Sequence, residues 1–116
     1  MTDTSTVDHL FAGKAPGLRP VYDHLIQQLD QIGPVKVAPK TTSIHLEKNG
    51  GFAGIHPRKH SFNLIFRTDR LIQDPRITKV ERLSAGRYMH TVPIERASDV
   101  DDQLLSWLQE AYELAR

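Results

Sequence analysis

Cysteine is absent from this 116-residue chain. Disulfides, thiolate metal sites and thiol nucleophiles are therefore excluded, and the chain suits a reducing compartment. Aromatic residues are sparse at 7%. Few rings are available for stacking on bases, and no RNP-like aromatic pattern is present. Long apolar runs are also missing: a stretch such as Phe62–Phe66 is far too short to span a bilayer. The first residues, MTDTSTVDHLF, have neither a basic nor an apolar leader region, so no secretory signal is expected. The expectation is a cytoplasmic protein with no membrane partner. The phosphate-cradling patterns GxGxxG and GxxxxGK[ST] do not occur, and Ser43, Ser61, Ser84 and Ser98 lack the glycine frame of a nucleophile elbow.

What the chain does have is a segregated charge. Its overall balance is +1, yet residues 36–96 hold 12 Lys/Arg against 5 Asp/Glu, and four of the six histidines. Both flanking segments are acidic. A segregation of this kind marks a possible anion-binding surface if the cations share one face.

Apolar spacing divides the chain into helical ends and a stranded middle. Residues 1–6 read as a polar tail and 7–116 as one domain. Ser5 or Thr6 is expected to cap a short helix carrying Val7, Leu10 and Phe11, ended by Gly13. Leu18, Val21, Tyr22, Leu25, Ile26, Leu29 and Ile32 form a helical stripe that Gly33-Pro34 stops. Strands are expected at Val35–Val37, Thr42–Lys48, Phe52–His56, Ser61–Arg67, Ile77–Leu83 and Tyr88–Ile94. Asn49-Gly50 is a hairpin signal because both residues accept positive φ. Gly54 reads as a close approach or a bulge. Ser98 is expected to cap a last helix whose stripe is Val100, Leu104, Trp107, Leu108, Ala111 and Tyr112. No helical segment separates the strands, so a parallel sheet is excluded. The predicted class is α+β: a two-layer antiparallel sheet of about five or six strands with the terminal helices on one face. The other face is left open.

Five segments carry a resemblance: LFAGKAP, GPVKVAPKTTSI, GFAGIHPRKHSFNLIF, DPRITKVERLSAGRYMHTVPI and DDQLLSWLQEAYELA. Together they resemble a bacterial domain of unknown function, DUF5655, over about residues 7–115. The resemblance implies a small cytoplasmic α+β domain, in some proteins joined to nuclease-like or other DNA-related modules. It carries over no catalytic residue.

The candidate chemistry lies in histidines and cations. His90 shares its strand face with Tyr88, Val92 and Ile94, and His56 alternates with Phe52 and Gly54. Either histidine is a candidate general acid or base near neutral pH. The plainer reading is a buried ring satisfied by a neighbouring main-chain group. His56 and His60 are separated by Pro57 in a way that aims them poorly at one ion, so no metal site and no cofactor is expected. Two histidines and a lysine also have the makings of acid/base RNA cleavage, if space brings them together.

The basic set is Lys40, Arg58, Lys59, Arg67, Arg82 and Arg87. Arginine grips phosphate through two parallel N–H bonds, whereas a charged turn such as HPRKH commonly serves only solubility. The leading expectation is a binding module. Its open basic face would contact an anionic ligand, nucleic acid or an acidic partner through Lys40, Phe52, His56, Arg58, Lys59, Arg82, Tyr88 and His90. The alternatives are a small enzyme using His56 or His90, and a domain that homodimerises through the open face.

Overall fold

Residues at helical spacing bury one side of each long helix. In the computed structural model, which describes residues 3–115 with side chains from residue 7 onward, α2 (Leu18–Leu29) buries Leu18, Val21, Tyr22, Leu25 and Leu29. Helix α3 (Asp102–Leu114) buries Leu104, Trp107, Leu108, Ala111 and Tyr112. Helix α1 (Asp3–Phe11) contributes Val7, Leu10 and Phe11 to the same core. It begins at Asp3, ahead of the expected caps Ser5 and Thr6, so most of the expected polar tail is helical; residues 1 and 2 lie outside the described residues. Gly13, at φ 78°, supplies the left-handed turn after α1 that side chains disfavour.

The middle forms one six-stranded antiparallel sheet: β1 (Lys36–Pro39), β2 (Ile44–Glu47), β3 (Gly51–Pro57), β4 (Phe62–Thr68), β5 (Lys79–Ser84) and β6 (Arg87–Ile94). The α+β class, the strand number and the terminal helices match the sequence expectation. The spatial order is β1-β2-β3-β4-β6-β5. One face of the sheet, with Ile44, Leu46, Ile55, Phe62, Leu64, Phe66, Val92 and Ile94, packs into the core beneath the helices.

That order sends residues 69–78 across β6 on the helix side. Ile72 is buried there, and its N–H donates to His90 Nε2 at 3.1 Å. Two arginines tie the crossing to α3. Arg70 grips Glu110 through two bonds of 3.0 and 2.8 Å. Arg76 grips Asp101 at 2.9 and 3.0 Å, reaches the Asp99 carbonyl at 2.5 Å and lies over the Trp107 ring. Part of the basic surplus of the middle is thus paired with acids of the C-terminal flank.

Local corrections have local causes. The cap of α3 is Asp101, which accepts from the Leu104 N–H at 2.9 Å. Ser98 lies in a preceding 3-10 turn, Ala97–Asp99, where Asp99 accepts from the Glu95 and Arg96 amides. Helix α2 ends at Leu29 because the chain tightens into a turn toward Gly33. The β2–β3 hairpin forms at Asn49-Gly50, but neither residue has positive φ. The loop closes instead by a Lys48 N–H to Gly50 carbonyl bond of 3.0 Å, and the register slips beside Glu47. Leu46 faces Ala53 and Glu47 faces Gly51, so Phe52 is the extra residue of a bulge. Gly54 is regularly paired with His45 and is not at the bulge.

Candidate functional site

The bulge decides which side chains share the open face. Without it, Phe52 would alternate with Gly54 and His56, as the sequence suggested. With it, Phe52 is buried on the helix side, its ring edge-on to Tyr112 with centroids 5.3 Å apart. Lys48 holds the same corner, with Nζ 4.5 Å from the centre of the Tyr112 ring and 3.4 Å from the Tyr112 carbonyl near the α3 C-terminus.

The open face follows from the pairing register. His45 lies opposite Gly54, Gly54 opposite Ile65, and Ile65 opposite Thr91, forming one row across four strands. His56 and Asn63 form the next row on one side, and Arg67 and Met89 the next on the other. His45 and His56 are therefore diagonal neighbours on adjacent strands, with only the glycine hydrogen at position 54 between them. A Cβ there would lie 3.9 Å from His56 Nε2. Partial burial, and secondarily the neighbouring His45, push the His56 pKa below the ordinary histidine value.

Arg67 and Arg87 are the cations of this face nearest a cavity. They sit on the adjacent strands β4 and β6, diagonally placed because Arg67 faces Met89. Both are exposed, and among the described residues neither has a carboxylate partner. They line a depression of about 440 Å³ at the end of the sheet, with Phe52, Leu83 and Leu114 as its apolar wall and Gly50-Gly51 leaving the main chain bare. Arg67 also lines a second depression, of about 280 Å³, on the open face with His45, His56, Ile65 and Met89. One arginine thus joins the histidine pair to the end cavity.

The eight residues singled out from sequence do not converge. Only His56 lies on the open face. Lys40 is in the β1–β2 turn, and Arg58 and Lys59 are in the β3–β4 turn, all at the end of the sheet away from Arg67. Lys59 there accepts the Ala15 amide through its carbonyl at 2.8 Å. Arg82 and Tyr88 are cross-strand partners on the helix side, because Tyr88 faces the buried Thr68. His90 is wholly buried on that side, its ring stacked on Phe66 with centroids 5.2 Å apart. Its Nδ1 has no hydrogen-bond partner. Burial, then the Arg70 charge, lowers the His90 pKa, and the nearby Phe66 main chain offsets this only in part.

The residues that the open face does bring together, His45, Arg67 and Arg87, were visible but not assembled. Ile44 and Leu46 point inward, so His45 must point outward; counting through the hairpin then sets it beside His56. Arg87 precedes Met89 by two, on the same face. Among the described residues no group of three or more His, Asp or Glu converges as a metal site, and no helix is long and apolar enough to cross a membrane.

Residues 7–115 match the family model described as a domain of unknown function, DUF5655. No curated protein and no solved structure matches the chain.

Proposed function

We propose that this chain, which belongs to the DUF5655 family, is a binding module that takes an anionic ligand at the end of its sheet, where the open face meets the C-terminus of α3. The observation that carries the reading is the pair Arg67 and Arg87, diagonal neighbours on β4 and β6 with no carboxylate partner among the described residues, next to a cavity with an apolar wall. Other arginines, Arg19, Arg70 and Arg76, are each engaged by carboxylates. Two guanidinium groups at a strand–strand diagonal suit a phosphate or a phosphodiester, which accepts from both forks at once. The wall of Phe52, Leu83 and Leu114 suits an apolar or aromatic part of the same ligand.

The test is a titration of isotope-labelled protein with pyrophosphate and with a short single-stranded oligonucleotide at low salt. Amide shifts should cluster at Gly51, Gly54, Arg67 and Arg87, and the double variant Arg67→Ala, Arg87→Ala should abolish them. Shifts confined to the Lys40 and Arg58-Lys59 turns, or none at all, reject this reading.

A second reading rests on the adjacency of His45 and His56 beside Arg67. One ring would take the proton of an attacking hydroxyl and the other would protonate the leaving oxygen of a phosphodiester. The reading requires that His56→Ala keep oligonucleotide binding while losing cleavage of an RNA dinucleotide. A wild-type protein that binds but never cleaves eliminates it.

A further inference from the structure

We propose that β5 is an interface strand and that its partner is β5 of a second copy of this chain, paired edge to edge. All six residues of β5 are exposed, whereas each of the other five strands is at least partly buried. Among the described residues only one edge of β5 is used, by β6. Among the described residues the exposed large apolar side chains are Leu71, Val80 and Leu83, and all three lie on the crossing segment or on this strand. Val80 and Leu83 belong to it. Leu71 precedes Ile72, whose amide sits on the ring of His90, the cross-strand partner of Val80. The opposite edge is defended differently: β1 has four residues and ends in Pro39.

Charge and register identify the occupant. Two copies of one strand pair antiparallel about a two-fold axis normal to the sheet. Opposite residues must then share a face, so one residue must face its own copy across the axis. Centred on Glu81, the pairing sets carboxylate against carboxylate. Centred on Arg82, it sets guanidinium against guanidinium. Centred on Val80, it sets Val80 against Val80 and, twice, Lys79 against Glu81 of the second copy. Among these three, the last register alone is self-complementary, and cross-strand pairs of opposite charge stabilise a sheet where like charges oppose it. The product is one twelve-stranded sheet with both open faces on the same side. None of Arg67, Arg87, His45 or His56 takes part, and of the apolar cavity wall only Leu83 lies on β5; changes at Lys79 and Glu81 leave that wall intact, so they test the assembly separately from anion binding.

The test is sedimentation equilibrium of the full chain over a wide concentration range, with circular dichroism to verify that each variant folds. The wild type should approach twice the monomer mass. Lys79→Glu and Glu81→Lys should each weaken dimerisation on the order of tenfold, since each places two like-charge pairs across the axis. The double variant Lys79→Glu, Glu81→Lys should restore it. Lys79 and Glu81 also lie 3.5 Å apart within one chain, a pair the double variant keeps. A wild type that stays monomeric at every concentration overturns the proposal. So does a dimer indifferent to the single variants, or one that the double variant fails to recover.

Discussion

The Ile72 amide donates to His90 Nε2 across 3.1 Å, so one main-chain group of the crossing segment fixes the tautomer of a fully buried ring. The ring must be neutral to accept, and burial followed by the Arg70 charge holds its pKa below the ordinary histidine value. A histidine lowered in the folded state is protonated first in the unfolded chain as pH falls. Stability should therefore be complete above about pH 6.5, the unfolded value, and decline as pH drops from there toward the lowered folded value. Urea midpoints between pH 8 and 5 measure this. His90→Gln removes the titration and should flatten the slope, leaving the part due to His56, which is shifted in the same direction. A slope unchanged in His90→Gln would assign the acid sensitivity elsewhere.

Asp101 is a stronger determinant of α3 than Ser98. Its carboxylate caps the helix through the Leu104 amide and takes both bonds from Arg76. Asp101→Ala should cost about 1–2 kcal/mol, the loss of a cap together with a partly exposed ion pair. Ser98→Ala should be nearly neutral. The Leu104 amide, and then Arg76, hold the Asp101 pKa below the usual carboxylate value. Its contribution is present above the unfolded carboxylate value and is lost as pH falls through the lowered folded one. The gap between wild type and Asp101→Ala should accordingly close in strong acid, as denaturant melts at low pH would record.

Gly33 is required by its neighbour rather than by its own backbone. A Cβ at this position would approach Tyr112 Cζ to 2.9 Å, and the Tyr112 hydroxyl donates to the Pro34 carbonyl at 2.9 Å. Gly33→Ala should displace the ring and destabilise the fold by about 1–3 kcal/mol, the usual cost of overpacking. Gly54→Ala, whose Cβ would meet only ordinary contacts at 3.8 and 3.9 Å, should fold as well as wild type. Thermal melts of the two variants separate these cases. Equal losses would show that the Tyr112 contact relaxes freely.

Much of this architecture was legible in the sequence because its signals are periodic. The stripe from Leu18 to Leu29 and that from Leu104 to Tyr112 read as helices at sight, and alternation at Phe62, Leu64 and Phe66 fixed the inward face of β4. What did not transmit was anything set by a single residue of slip. Asn49-Gly50 announced the hairpin but not its loop, and the resulting bulge turned Phe52 away from His56. Strand order was hidden too, since a polar crossing of ten residues looks like any loop until Ile72 is seen buried against His90. The basic surplus was real, but sequence cannot say which cations acids neutralise. Arg70 and Arg76 were spent on Glu110 and Asp101, while Arg67 and Arg87 were left on the open face.

Anion binding at that face predicts two linked dependences. Each arginine that contacts a phosphate releases counterions, so the logarithm of oligonucleotide affinity should fall linearly with the logarithm of salt. Arg67→Ala and Arg87→Ala should each reduce the steepness by roughly 0.7–1, whereas Arg58→Ala and Lys59→Ala, at the far end of the sheet, should leave it unchanged. The second dependence is on pH. His56 is partly buried and its pKa is lowered in the free protein. An anion bound in the depression that His56 and Arg67 both line favours the charged ring and raises that pKa again. Binding must then take up a proton between the free and bound values, and affinity should increase as pH falls through that interval. His56→Gln should retain the salt dependence and lose the proton uptake, which calorimetry in buffers of different ionisation enthalpy reads directly. If His56→Gln instead left proton uptake intact, the proton would be going to another group, and the link between His56 and anion binding would fail.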